Sequence, residues 1–491
     1  MTAISVAPST TTRYWLIAIL LLALALRLVY GLAQDHEAPY QNAGGDSTWY
    51  LANGYALATG FERGSLKGYG TGEYPIALQS LPTPPIYLLL IGFAQRIFSH
   101  ETALIAIRLI QAILSAATCY FAYRLAAAIA HDDRAGLITA GILAISPAFV
   151  MESAQITTET LYIFWVTAGL WLYIKTQHTP EFDNLTPPST PPHSAGSSRG
   201  ELSVSQVASH FMEKDLGRNY TRRLIFVGVI LGLATLTRAV LLLFPLGLAL
   251  HLLMVHGLRK GLRQALILLI VYALTVSTWT VYNLARWNRW VIAGEGFAAF
   301  LYIGASDTGW QGPEAVDQSL GENLPDDPAD QQELYTEGAQ QIISRDPLGY
   351  IRRRVSELAE SYLQPHGTLL FSGESLRELA LSWLRDDRSI GGLIDITRGD
   401  AFWPKFSLYI FHYVGLVAGL IGMWLSRRQW RITLPLIGFI VYTTLIHLVL
   451  TALPRYLFPN DVFWWVFAGC ALWAAAKAVK NSRSVTRLQR A

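Results

Sequence analysis

Tyr14-Trp-Leu-Ile-Ala-Ile-Leu-Leu-Leu-Ala-Leu-Ala-Leu-Arg27-Leu-Val-Tyr-Gly-Leu-Ala33 decides the class of this chain. As a helix rising ~1.5 Å per residue, the run covers the ~30 Å hydrocarbon core of a bilayer. Comparable apolar runs follow at 264–284, 406–425 and 432–452. Over the 491 residues, 52% are hydrophobic, 12% aromatic and only 15% charged, so lipid is the solvent for most of the chain. The fold class read from this is an all-α polytopic membrane protein.

Gly31-Leu32-Ala33 resembles the cleavage site of a signal peptide. The run is long for one, its only preceding charge is Arg13, and an uncleaved helix agrees with the charge pattern downstream. The net charge of +3 comes from Arg and Lys clustered between apolar runs, which reports topology and gives no reason to assign a nucleic-acid partner. Cys119 and Cys470 both lie in apolar runs and define neither a disulfide framework nor a metal motif.

Basic residues collect on one side: Arg13, Arg124 and Arg134, Lys175 through Arg223, Arg259 to Arg263, Arg427 to Arg431, and the tail from Lys477. The positive-inside rule makes that side cytoplasmic, with both termini there and an even number of spans. Pro84–Ser99 has an apolar stretch of roughly 14 residues, or ~21 Å as a helix, too short to span, and is expected to be an interfacial helix. About ten transmembrane helices follow. The location expected is the cell (inner) membrane.

Three polar stretches divide the chain. Residues 1–284 form an N-terminal transmembrane module with an external loop at 34–102 and a cytoplasmic segment at 176–221. That segment carries Thr186-Pro-Pro-Ser-Thr-Pro-Pro-His193 and is expected to be a disordered linker, its sequons at Asn184 and Asn219 facing the wrong side for glycosylation. Residues 285–405 form a large external loop, with helical periodicity at 328–345, 348–363 and 373–385 that predicts a small helical cap. The rest, 406–491, holds the last transmembrane helices and the basic tail.

Ionisable residues at membrane boundaries are costly, and each is a functional candidate. Asp46 lies in Gly44-Gly-Asp-Ser-Thr-Trp-Tyr50, where glycines admit close approach and Trp49 and Tyr50 can stack on a sugar ring. The same Asp46 equally serves as the cap of a short helix over Ser47–Thr59. Glu159 opens a span on the same side as Asp46, and the two carboxylates could share an acceptor hydroxyl or a divalent cation such as Mg or Mn; Glu159 is also placed to meet a helix macrodipole. Arg108, Arg238 and Arg455 sit near external helix ends, against the inside rule. Guanidinium forks suit phosphate oxygens, so one anionic ligand accounts for all three, while each alone could be a snorkelling or paired arginine. His36 and His366 show no metal spacing and read as packing residues, and no nucleotide loop or nucleophile elbow is present.

The order of these features resembles the GT-C membrane glycosyltransferases, in particular bacterial relatives of the protein O-mannosyltransferases and the lipid A aminoarabinose transferases. Gly45-Asp46-Ser-Thr-Trp-Tyr50 resembles their acidic motif after the first helix, and Pro84-Pro-Ile-Tyr87 resembles Pro-Pro-Leu-Tyr before a juxtamembrane helix. Ser146-Pro147 with Glu159 resembles the second acidic motif, and Leu236-Thr-Arg238 the Leu-Thr-Arg turn. Trp279-Thr-Val-Tyr-Asn283 and Leu301-Tyr-Ile-Gly304 resemble the entry to the large loop. Thr83 departs from the pattern where many relatives carry a basic residue, leaving Arg63, Lys67 or the three arginines to meet a phosphate, and Ala239 stands where Pro is usual.

The resemblance implies an inverting transfer of a hexosyl or pentosyl group from a polyprenyl-phosphate-linked sugar donor to a protein, lipid or glycan hydroxyl. It makes Asp46 the general base, with Arg108, Arg238 or Arg455 on the leaving phosphate and Trp49, Tyr50 and Tyr87 as sugar or acceptor contacts. The competing reading is a transporter or flippase of a lipid-linked or anionic substrate, but the paired interrupted helices of such folds are not seen. An O-antigen ligase-like enzyme fits less well, because the large loop is acidic over Glu314–Glu333 rather than rich in Arg and His.

Overall fold

The computed structural model describes residues 9–36, 39, 46–59, 83–177, 204–306, 325, 328–371 and 374–488. No strand occurs among the described residues, as the all-α expectation requires. Among the described residues, five stretches are long and apolar enough to cross a membrane: Thr10–Leu32, His100–Ala130, Ala239–Trp287, Phe402–Val449 and Pro454–Ser482. Two of them are subdivided. Gly257, at φ 72°, kinks Phe244–Trp287, and the short turn Arg427–Gln429 separates Phe402–Ser426 from Trp430–Val449. Ten spans is a proposal that needs Asp133–Ile145, Glu159–Gln177 and Val204–Thr235 to cross as well.

The first helix, α1 (Thr10–Leu32), packs on α4 (His100–Ala130) and α5 (Asp133–Ile145). Pro147, at the start of α6 (Pro147–Glu152), has no N–H to offer the Leu143 carbonyl, so α5 ends with orphan acceptors inside the protein. Arg27 of α1 meets them. Its guanidinium donates to the Leu143 and Ala144 carbonyls at 3.0 Å each and to Ser115 Oγ at 2.7 Å, while only 1% of the residue is exposed. A buried arginine thus closes the end of one helix with the side chain of another.

The short helix expected at Pro84–Ser99 is present, over Pro85–Ile97. α2 (Asp46–Thr59) lies against α3 (Pro85–Ile97), and the contact is made by Gly54 and Gly92: a Cβ at Gly92 would fall 2.3 Å from the Gly54 carbonyl oxygen. Pro85 stands in the first turn of α3, where its missing N–H costs nothing. The Ile86 N–H donates to the Leu236 carbonyl at 3.0 Å, fastening the hairpin to the turn after α8 (Val204–Thr235).

The segment 176–221, expected to be a linker, is described only at its two ends, which are helical. α7 (Glu159–Gln177) extends into it, and α8 begins at Val204. The Pro- and Ser-rich composition ends near Gly200, and no Pro or Gly stands between Val204 and Leu216 to oppose a helix. Residues 178–203 lie outside the described residues. Beyond α8, the long α9 (Phe244–Trp287) packs back along it.

The large loop carries α10 (Phe297–Ala305), α11 (Pro328–Arg345), α12 (Pro347–Leu363), α13 (Leu376–Ser382) and α14 (Ile390–Thr397). The first two expected helices are there; the third is shorter and continues as a π turn over Trp383–Asp387. α12 pins the chain ahead of the last span: Arg354 donates to the Leu450 carbonyl at 2.6 Å, and Glu357 accepts from Thr451 Oγ1 at 2.7 Å and the Ala452 N–H at 2.8 Å.

Last come α15 (Phe402–Ser426), α16 (Trp430–Val449), the short α17 (Pro454–Leu457) and α18 (Asp461–Leu488). α15 meets α18 along Gly415, Gly419 and Gly422, a stripe at four- and three-residue spacing. A Cβ at Gly422 would lie 1.9 Å from the Phe467 carbonyl oxygen, so the close approach depends on glycine there. That approach sets where α17, and Arg455 on it, can stand.

Candidate active site

Glu159 is the first residue of α7, and only 1% of it is exposed. A buried carboxylate must be paired, and two arginines from distant segments pair with it. Arg238 reaches Glu159 Oε1 through Nη1 at 2.5 Å, and Arg455 Nε lies 3.1 Å from the same oxygen. Thr158 Oγ1 donates to the other oxygen at 3.3 Å.

Arg238 follows the last turn of α8 with extended backbone, φ −144° and ψ 118°, which aims its side chain back toward α7. Its guanidinium lies between two rings, 5.7 Å from the Tyr162 centroid and 5.6 Å from that of Tyr456. Burial opposes its charge, and the Glu159 carboxylate more than offsets this, so Arg238 is held cationic. Arg455 also lies over Tyr456, at 5.4 Å, and its Nη1 forms an ion pair with Asp46 Oδ2 at the start of α2. The sequence candidates Asp46, Glu159, Arg238 and Arg455 therefore meet in one cluster.

Tyr50 edges against Trp49 at 5.3 Å and Tyr87 at 5.2 Å. Burial pushes the Tyr50 hydroxyl up to about 12, with the charge of Glu159 adding to the effect, so it stays a neutral donor at any working pH. Tyr87 is fully buried, and its hydroxyl donates to Gln111 Oε1 at 2.8 Å, so it supports Tyr50 rather than facing a ligand. Trp49 is exposed.

Arg108 stands apart from the other arginines in its contacts. Its guanidinium donates to the carbonyls of Ala154 at 3.1 Å, Asp35 at 3.0 Å and Gln34 at 3.4 Å, and Nη1 meets His36 Nδ1. Beside it, Gln111 donates to the carbonyls of Ser153 and Gln155 at 3.0 and 2.7 Å. Together they tie the end of α1 and the loop before α7 to α4. Arg63, Lys67 and the glycines before Asp46 lie outside the described residues.

One pair was not read from the sequence as functional. His366 Nε2 lies 2.7 Å from Glu152 Oε2, Thr157 donates to the other oxygen, and the imidazole sits 4.4 Å from the Phe458 ring. Glu152 ends α6 at a membrane boundary seven positions before Glu159, the same signal that had marked Glu159. This pair joins the large loop to the helices that carry the site.

The two carboxylates first considered for a shared cation do not fit one as they stand. Arg455 contacts both, and among the described residues no three His, Cys, Asp or Glu side chains gather into a metal-binding group. What the cluster presents instead is a half-exposed carboxylate beside two guanidinium groups, one of them a third exposed. Such a site offers a proton acceptor and an anion holder within one side chain's reach.

Residues 82–185, which include α3 through α7, match the family described as dolichyl-phosphate-mannose-protein mannosyltransferase. The fold is similar to that of the Archaeoglobus fulgidus oligosaccharyltransferase in its apo form, with 14% identity, a TM-score of 0.50, and 98% of this chain covered. At this identity the likeness is one of fold, and it agrees with the GT-C architecture that the sequence resembles. The structure of the same oligosaccharyltransferase tethered to an acceptor peptide containing the NVT sequon gives a TM-score of 0.50 at 14% identity, over 96% of this chain. The chain spans about half the length of those solved structures, 53% and 51%. Among curated proteins, none matches it in sequence. Within the matched 82–185 segment lie Tyr87, Arg108, Glu152 and Glu159, while Asp46, Arg238 and Arg455 fall outside it.

Proposed function

We propose that the protein is an inverting glycosyltransferase that moves a sugar from a polyprenyl-phosphate-linked donor to a hydroxyl acceptor on the external face of the membrane. The observation that carries this reading is the ion pair between Asp46 and Arg455, with Arg455 also held on the buried Glu159. The GT-C fold and the mannosyltransferase match support the reaction class. The charge distribution along the sequence supports the external side.

In this mechanism the donor phosphate competes with Asp46 for Arg455, and Arg238 and Arg455 share its charge. Asp46, released from its partner, takes the proton of the acceptor hydroxyl as that oxygen attacks the anomeric carbon. The bond from the anomeric carbon to the phosphate oxygen breaks, and its electron pair leaves with the lipid phosphate, neutralised by the two guanidinium groups. Attack opposite the leaving group inverts the anomeric centre. Glu159 is a positioning residue here: it keeps both arginines aimed and does not itself take a proton. Tyr50 and Trp49 border the space beside Asp46 as sugar or acceptor contacts.

Transfer of radiolabelled sugar from polyprenyl-phosphate donors by the purified protein in detergent, with membrane extract as acceptor, tests the reading. Label moved to an acceptor is expected. Folded protein that neither moves nor releases label from any such donor would remove the proposal.

A further inference from the structure

The stretch between α12 and α15 has apolar side chains that none of the described residues covers. α13, the π turn after it and α14 bury no residue at all among those described. In α14, helical spacing of ~100° per residue puts Ile390, Leu393 and Ile394 within an arc of ~100°. All three are exposed, Ile390 by 79%, whereas Ile396, on the other side, is half-buried toward the protein near Leu379 and Phe402. Asp395 lies nearly opposite the apolar arc. The face that should be buried is the one turned outward.

The next helix shows what adjoins that face. α15 starts five residues after α14 and displays Ile410, Val414, Val417 and Ile421, all exposed, in a stripe along a stretch long and apolar enough to cross a membrane. Its ends are marked by Trp403, 67% exposed, and Trp424, 62% exposed with Arg427 over its ring at 4.2 Å. At ~1.5 Å per residue these tryptophans stand ~32 Å apart, the separation of the two aromatic belts of a bilayer. Trp403 therefore marks the headgroup level of one leaflet, and the loop that meets Glu152 through His366 leads into α13, so this is the leaflet on the side of the site.

We propose that α14 and the turn before it lie in the interfacial layer of that leaflet, with Ile390, Leu393 and Ile394 in contact with lipid. α14 contacts α15, whose exposed stripe runs along a stretch apolar enough to cross the membrane. Arg385, Arg388 and Arg398 flank the apolar arc, are exposed, and have the reach to extend to lipid phosphates. The large loop is thereby anchored to the membrane at a third place, besides its two covalent ends. This inference rests on α15 crossing the membrane and is independent of the reaction proposed above.

The test uses full-length protein in phosphatidylcholine vesicles, with single cysteines introduced as Ile394→Cys, Asp395→Cys and Val417→Cys and carrying a nitroxide; Cys119 and Cys470 are buried. Power saturation compares access of oxygen with access of a water-soluble nickel chelate. The expected result is that labels at 394 and 417 favour oxygen by several-fold and the label at 395 favours nickel. A label at 394 that favours nickel, or that is shielded from both reagents as under a protein partner, overturns the proposal. A label at 417 that favours nickel overturns the membrane placement of α15 and the proposal with it. Should Ile394→Cys fail to fold, Ile390→Cys samples the same arc.

Discussion

Arg455 and Asp46, 409 positions apart in the chain, form an ion pair at the mouth of the helical assembly. The pair joins the last helices to the first loop and occupies the place where base and anion would meet. Because Asp46 is half exposed and Arg455 a third exposed, the pair is worth little to stability, and its charges are available to a ligand.

Asp46→Asn therefore lowers transfer ~10²–10⁴-fold, the usual contribution of a general base, with membrane abundance unchanged. Abundance is checked by quantitative immunoblot, and transfer by radiolabel counting on the same preparation.

Arg455→Lys retains the charge but loses the fork that serves Glu159 and Asp46 together. It is expected to raise the donor KM and lower kcat, with Arg455→Ala more severe in both. Initial-rate kinetics against donor concentration separates the two parameters.

Glu159→Gln acts through folding. It leaves two guanidinium groups beside an uncharged amide at a site where the carboxylate was 2% exposed, a loss of roughly 3 kcal/mol. The melting temperature in detergent should fall clearly, whereas that of Asp46→Asn should not. Equal shifts for the two variants would contradict the positioning role.

Arg27→Leu removes two donors from the end of α5 and leaves the Leu143 and Ala144 carbonyls unmet in the interior. Each buried acceptor left unpaired costs ~1–3 kcal/mol, so this variant should be among the least stable single substitutions in α1. Thermal unfolding in detergent, compared with the exposed neighbour Leu22→Ala, is the check.

Length and apolar character made the long helices legible, and proline and turn signals placed α2, α3, α11 and α12 within a residue or two. Four of the candidate site residues also meet, because a charge at a helix end in lipid needs a partner and the partners had to be the other such charges. Arg108 satisfied the same rule with backbone carbonyls, which leave no mark in sequence. Arg27 was visible as a charge inside an apolar run, yet its purpose is set by Pro147, more than a hundred residues away. The Glu152–His366 contact depends on how the large loop folds back, information carried by no local spacing.

The measurement that tests the central claim most directly is donor binding and sugar transfer on one preparation of Asp46→Asn, set beside wild type. The account predicts that the variant still binds the polyprenyl-phosphate sugar, because Arg238 and Arg455 remain, and fails to transfer it. Transfer at the wild-type rate by Asp46→Asn would contradict the account.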